Sequence, residues 1–307
     1  MRFKAEISNP AQLSRLISSL APLSKSATLK LKHDQLHLIC GADSSKSAVQ
    51  VWSVIQIDSI FRPDTLRLES NHNNEIYLEV TTDLLAKALK SAASASEVVI
   101  KLAKKGGRGP GGMGEGSYPV LSLAIKSSSR LGKPLEITQD VAVKVKKAAE
   151  IDQLKEPLCP PPEVLLYLPP LNLLRTVVER LKTISPYITI SANNLGELRV
   201  RAESDDAKVE TEWRGLKKPT QGAEDMAAVP EDPAEFFAAT VEAKDLLKFL
   251  ASYSIAGTTI ACLCAGHCAI FYVYIGTEKD HRTQAGTGGS GGVLTFFVPA
   301  VKLGGDE

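Results

Sequence analysis

The chain contains itself twice. Trp52 and Trp213, the only tryptophans, lie 161 residues apart. Val80-x4-Leu85-x-Lys87-x-Leu89 recurs 161 residues later as Val241-x4-Leu246-x-Lys248-x-Leu250. Pro10-x2-Leu13-x-Arg15-x-Ile17 recurs 160 residues later as Pro170-x2-Leu173-x-Arg175-x-Val177. One such match is easily accidental, whereas three separated matches in one order and nearly one register imply two copies of a single folding unit. A length of 307 residues agrees, since about 150 residues is an ordinary domain.

Each copy has the same expected element order. A helix comes early, with Leu13, Leu16, Ile17 and Leu20 on one face; its counterpart carries Leu174, Val177, Val178 and Leu181. Alternating runs follow as half-buried strands: Thr28 to Leu31, Leu36 to Ile39 and Val49 to Ile55, then Tyr187 to Ile190, Glu197 to Ala202 and Lys208 to Trp213. A late helix buries Leu85, Ala88, Leu89 and Ala92 in the first copy, and Ala243, Leu246, Leu247 and Leu250 in the second. Closing strands run Val98 to Leu102, Val120 to Lys126, Thr258 to Cys264 and Ala269 to Ile275. Strands outnumber helices, with two helices per half, so the class is α+β with helices on one sheet face.

Domains are expected at residues 1–143 and 163–307. The Pro-rich segment 144–162 is an extended connector between them. Lys104 to Gly116, Gly215 to Pro233 and Gly276 to Gly292 read as solvated loops. No apolar run reaches the roughly 18 residues of a membrane span. The N-terminus lacks a signal-peptide core, and five cysteines are too few for a disulfide scaffold, so a soluble intracellular chain is expected.

Candidate chemistry is sparse. Gly109-x-Gly111-x-x-Gly114 matches a dinucleotide fingerprint as a string, but a strand follows it, so no helix N-terminus is available for a pyrophosphate. Cys262-x-Cys264 with His267-Cys268 sits around one turn, with Cys40 and Cys159 standing alone; a structural hairpin is expected and no metal assigned. His33 and His37 read as exposed turn histidines, and nothing activates Glu75 or Glu79. No catalytic residue is assigned and no cofactor is called for.

The helices are more informative. Arg15, with Lys25 just beyond, belongs to the first; Lys87 and Lys90 share the polar side of the second; Arg175 and Lys182 lie on the third; Lys244 and Lys248 on the fourth. A solvated face is the ordinary explanation of such charges. Here Arg15 matches Arg175 and Lys87 matches Lys248 under the repeat, so equivalent faces carry cations that would line one continuous surface. The 36 basic and 35 acidic residues leave a net charge of +1, which excludes bulk positive charge as a means of holding nucleic acid.

Several stretches resemble the Hus-type subunits of the heterotrimeric DNA-damage checkpoint clamp, the 9-1-1 complex, a relative of the replicative sliding clamp. They include Met1-Arg2-Phe3-Lys4-Ala5, Asn73-Asn74-Glu75-Ile76-Tyr77-Leu78-Glu79 and Leu84 to Lys90. Leu154-Lys155-Glu156-Pro157, Tyr167-Leu168-Pro169, Val177 to Ser185, Gly196-Glu197-Leu198, Leu246 to Leu250 and Phe297-Val298-Pro299-Ala300 extend the likeness along nearly the whole chain. The resemblance implies a sliding-clamp fold of two tandem similar domains, with sheets outside and helices lining a hole. It implies a non-catalytic subunit in a ring with two Rad-type subunits, placed on double-stranded DNA by an ATP-driven clamp loader, recruiting repair enzymes and acting in the nucleus. By family position, Arg15, Lys25, Lys87, Lys90, Arg175, Lys182, Lys244 and Lys248 face the DNA. The alternatives are a homotrimeric replicative processivity clamp and an intracellular enzyme using the Cys262 to Cys268 hairpin as a metal site.

Overall fold

The computed structural model describes residues 1–41, 49–108, 115–128, 133–219, 232–276 and 291–301. The chain divides into two compact units, Met1–Ala42 with Trp52–Lys155, and Glu156–Glu307 with Asp43–Val51.

In the first unit β1 (Arg2–Glu6), α1 (Pro10–Leu20), β2 (Ser26–Leu31), β3 (Gln35–Cys40) and β4 (Gln50–Gln56) are followed by a one-turn helix α2 (Ile57–Ile60) and β5 (Arg67–Glu69). Then come β6 (Ile76–Thr81), α3 (Thr82–Ala92), β7 (Glu97–Arg108), β8 (Glu115–Ser128), β9 (Pro134–Val145) and a second single turn, α4 (Ala148–Ile151). The strands lie in the order β4-β3-β2-β6-β9-β8-β7-β1-β5. The second unit runs β10 (Val164–Tyr167), α5 (Leu171–Leu181), β11 (Tyr187–Ala192), β12 (Leu198–Glu203), β13 (Lys208–Trp213), β14 (Phe237–Glu242), α6 (Ala243–Leu250), β15 (Ala256–Cys264), β16 (Cys268–Ile275) and β17 (Val293–Pro299).

The repeat of the sequence is a repeat of topology. The antiparallel series β1-β7-β8-β9 has its counterpart in β10-β15-β16-β17, and β3-β2-β6 in β12-β11-β14. Leu20 and Leu181 end the first helices, and Thr82 and Ala243 begin the late ones, each pair 161 positions apart. The one-turn helix and β5 between β4 and β6 have no equivalent among the described residues.

Local chemistry starts each element. Asn9 caps α1 by accepting the Gln12 N–H at 3.0 Å, with Pro10 at the first helical position, where its missing donor costs nothing. Asn73 and Asn74 both take positive φ (49° and 56°) and the Glu75 N–H closes on the His72 carbonyl at 2.7 Å. That is a tight turn between β5 and β6 in the conformation asparagine tolerates best after glycine. At the β11–β12 turn Gly196 has φ +84°, and a Cβ there would stand 2.3 Å from the Leu216 carbonyl oxygen. Only glycine fits.

Each pair of helices closes a core against its own strands. In the first unit α1 packs on α3, and Leu13, Ile17, Leu85 and Leu89 meet Phe3, Leu29, Leu38, Ile100 and Leu121 around a void of about 20 Å³. In the second α5 packs on α6, where Phe249 stacks on Phe271 (centroids 4.0 Å) and meets Phe296 edge-on at 5.3 Å. Among the described residues no helix is long and apolar enough to cross a membrane.

Four expectations are corrected. Lys104 to Gly116 is no simple loop: Lys104 to Arg108 pair with Pro119 to Glu115, extending the β7–β8 hairpin, because long antiparallel pairing overrides a Gly-rich composition. The core faces of α5 and α6 are narrower than drawn, since Val177 and Leu247 are half-buried. His37 is not a turn residue; it sits half-buried on β3, where burial, then Lys32 and Lys30, push its imidazole below the ordinary range. Cys159 does not stand alone, since its sulfur lies 3.3 Å from that of Cys268. The Gly109 to Gly114 string, His281 and the Gly288 to Ser290 run lie outside the described residues.

Candidate functional site

The helix pairs carry the candidate cations. On α1, Arg15 projects from the side opposite Leu13, Leu16 and Ile17 and is exposed. Lys25 is exposed in the segment before β2, whose Lys25 carbonyl accepts the Thr82 N–H at 3.1 Å and so fixes it beside the start of α3. Lys87 and Lys90 stand exposed on α3, opposite Leu85 and Leu89, with Lys90 in the last turn, where a cation complements the helix dipole. Among the described residues these four cations form no ion pair, so their charge is available to an anionic partner.

The second unit differs. Arg175 on α5 bonds Glu179 one turn on (Nε to Oε1, 2.8 Å) and lies 5.3 Å over the Tyr253 ring. Lys244 pairs with Glu242 at 2.6 Å, which raises its ammonium pKa. Lys248 pairs at 2.8 Å with Asp245, whose side chain is almost fully buried. Lys182, at the C-cap of α5, is exposed and forms no ion pair among the described residues. Three of the eight candidates are therefore internally neutralised. Arg180, also exposed in the last turn of α5 and without an ion pair among the described residues, was missed. It lies beside Lys182 in the stretch Val177 to Ser185 that carries the family resemblance, and only its exposure in the folded chain marks it out.

The other polar clusters are structural in character. Glu75 accepts the Tyr77 hydroxyl and faces Lys30 (3.5 Å) and Lys32 (3.7 Å). Burial pushes its carboxyl up, but the Tyr77 hydroxyl and the two ammonium groups outweigh that and hold it below the ordinary range. It is a satisfied brace across β2 and β6, and the Asn-Asn-Glu-Ile-Tyr run is there to build turn and brace together. Glu79 is paired with Lys146 at 2.8 Å. Burial raises the Cys40 and Cys262 thiols to about 12, far from the thiolate a nucleophile needs.

The family model described as Hus1-like protein matches residues 1–302. The chain belongs to the Hus1-like family. It is 34% identical over 304 residues to checkpoint protein hus1 of Schizosaccharomyces pombe, covering 97% of this chain and 98% of the relative. It is 31% identical over 307 residues to checkpoint protein HUS1 of Homo sapiens, covering 98% and 100%. Proliferating cellular nuclear antigen of Entamoeba histolytica superimposes with a TM-score of 0.67 at 13% identity, over 98% of this chain and 99% of that one. The homologous antigen of Thermococcus kodakaraensis gives 0.65 at 15%, over 97% and 99%. The fold is thus that of a PCNA-like sliding clamp, and the chain is a Hus1-type subunit of a DNA-damage checkpoint clamp that forms a ring with other clamp subunits. Neither the replicative homotrimer nor the metalloenzyme alternative is favoured by these likenesses.

Proposed function

We propose that this Hus1-type subunit takes one place in a heterotrimeric ring beside two Rad-type subunits, is placed on double-stranded DNA by an ATP-driven loader, and recruits repair enzymes in the nucleus without catalysis of its own. In this reading residues 1–143 and 163–307 are the two clamp domains and 144–162 their connector. Arg15, Lys25, Lys87, Lys90, Arg175, Lys182, Lys244 and Lys248 face the duplex, with the cations lacking counter-ions dominating.

The observation that carries the reading is the set Arg15, Lys25, Lys87, Lys90 and Lys182: exposed cations on or beside duplicated helices, without ion pairs among the described residues. A ring needs no grip, because a threaded duplex leaves only by its ends or by ring opening. A few phosphate contacts independent of base sequence suffice and permit sliding, so a net charge of +1 is no obstacle. Ring closure requires sheet edges. Among the described residues, β13 has β12 as its one neighbour, and the Pro134 to Asp140 stretch of β9 pairs with β8 alone, β6 reaching only Val143 to Val145. Open edges of this kind are aggregation hazards unless a neighbour covers them, and we assign these two to the flanking subunits.

Size-exclusion chromatography of the chain alone and with the two Rad-type partners tests the assignment. A lone chain that runs as a monomer and enters a 1:1:1 ring on mixing is expected. A self-sufficient homotrimer overturns it.

A further inference from the structure

Three potential metal ligands, Cys159, His267 and Cys268, meet at one end of the second unit, with a further cysteine, Cys264, beside them on the hairpin. Cys264 ends β15 and Cys268 begins β16; they are direct partners in the ladder, so their side chains leave the same face of the hairpin. The turn between them is tight: the His267 N–H donates to the Cys264 carbonyl at 3.0 Å, and Gly266 takes φ +64°. Cys159 arrives from the Pro-rich segment, 109 residues earlier, with its sulfur 3.3 Å from that of Cys268. The ligand atoms of Cys159, His267 and Cys268 all lie within 4.8 Å of one another. Cys264, paired with Cys268 across the ladder, donates its thiol to the Pro160 carbonyl at 3.4 Å.

We infer that Cys159, Cys264, His267 and Cys268 form a structural Zn²⁺ site that pins the Pro-rich segment to the β15–β16 hairpin. Three sulfurs and one imidazole are a donor set that zinc takes in closed tetrahedral sites, and Cys264-x2-His267 has ordinary ligand-pair spacing. Zn–S bonds of about 2.3 Å at tetrahedral angles place sulfurs about 3.8 Å apart, so the Cys159–Cys268 pair needs to open by only about half an ångström.

The scaffold holds the ligands nearly in place beforehand. The Glu163 carboxylate accepts the Ala265 N–H at 3.0 Å, and the Glu163 N–H reaches the Leu263 carbonyl at 3.0 Å. Gly266 N–H bonds the Ala238 carbonyl and Ala300 N–H the His267 carbonyl, both at 2.9 Å. Prolines 160, 161 and 162 stiffen the approach of Cys159. His267 is exposed, which gives the ion a way in, while Cys264 and Cys268 are buried.

Binding deprotonates the three thiols and releases three protons to solvent; no electrons move. Four protein ligands leave no open coordination position, so the ion organises chain and does no chemistry. This site is independent of the DNA-facing assignment. A Cys159–Cys268 disulfide would need the same two sulfurs to close to about 2.05 Å, and an oxidant.

Metal analysis of the full chain, purified without chelator, tests the site, together with Co²⁺ reconstitution and zinc-chelator competition. One zinc per chain is expected, with the intense visible bands of tetrahedral thiolate-bound Co²⁺. Cys159→Ser and Cys268→Ser should each weaken zinc binding by at least about 100-fold, beyond the roughly 10–100-fold of losing an outer-shell partner. Cys40→Ala should leave it unchanged. Circular dichroism of Cys159→Ser, altered in a half-exposed segment, checks that the fold persists. A metal-free chain that fails to take up Co²⁺, a Cys159→Ser protein with the wild-type Co²⁺ spectrum, or a Cys159–Cys268 disulfide without metal overturns the inference.

Discussion

Replacing Lys87, Lys90 and Lys182 together by alanine separates charges free to meet phosphate from charges already spent within the protein. All three are exposed and form no ion pair among the described residues, whereas Arg175, Lys244 and Lys248 are held by Glu179, Glu242 and Asp245 at 2.6–2.8 Å. Each phosphate that is no longer neutralised should lower the slope of log K against log salt by about 0.9, so the first set removes about 2.7 from the slope. Between 50 and 200 mM salt that difference amounts to about 40-fold: the wild-type ring should lose about 40 times more affinity over this range than the triple variant. Arg175→Ala, Lys244→Ala and Lys248→Ala combined should change the slope by well under half as much, because removing a paired cation leaves a carboxylate behind rather than a freed phosphate. Fluorescence anisotropy of labelled duplex with the assembled heterotrimer, at four or five salt concentrations, reads both slopes. An unchanged slope for the first set, or an equal loss for the second, refutes the argument that counter-ion pairing decides which cations serve the duplex.

The remaining expectations concern stability. Gly196→Ala should cost about 1–3 kcal/mol in urea unfolding, since it imposes a left-handed backbone on alanine and drives a Cβ to 2.3 Å from the Leu216 carbonyl; a neutral substitution would mean that the Leu216 segment moves freely. Phe249→Ala, removing the ring stacked on Phe271 and edge-on to Phe296, should cost about 3–5 kcal/mol by the same measurement. Glu75 has a carboxyl held below its ordinary value of 4.5, so its contribution is fully present above that pH and is lost as pH falls through the lower folded-state value. Wild type should therefore lose more stability than Glu75→Gln between pH 6 and pH 3, and parallel losses would remove the brace from the account.

Much of the fold was legible because it depends on local period. The 3.6-residue spacing of Leu13, Leu16, Ile17 and Leu20, and the alternation along β2, β3, β11 and β12, are properties of a few neighbouring residues, and both elements formed where they were expected. Where the pattern misled, long-range pairing had the larger effect: the β7–β8 ladder recruits Lys104 to Arg108, which by composition are loop residues. The helices likewise stand in the sequence as stripes, but which positions stay half-exposed, as Val177 and Leu247 do, depends on how closely each helix settles on its sheet.

The candidate site divides in the same way. That cations recur on equivalent helices is a linear pattern, visible from Arg15 and Arg175 or Lys87 and Lys248 alone. Whether each is available is a question of a few ångströms. Glu179 and Asp245 reach their cations, whereas Lys87 and Lys90 meet no carboxylate among the described residues. Arg180 is told apart from its neighbours only by exposure and the lack of a counter-ion among the described residues, neither of which its place in the sequence shows.

By itself, the sequence determined that this chain is a doubled α+β unit with cationic helices, because repeat offset and hydrophobic period are written along the backbone in order. Only the tertiary structure decided which of those cations are neutralised, and that Cys159 stands with His267 and Cys268. Both depend on distances between groups far apart in sequence, and such distances exist only once the core has closed.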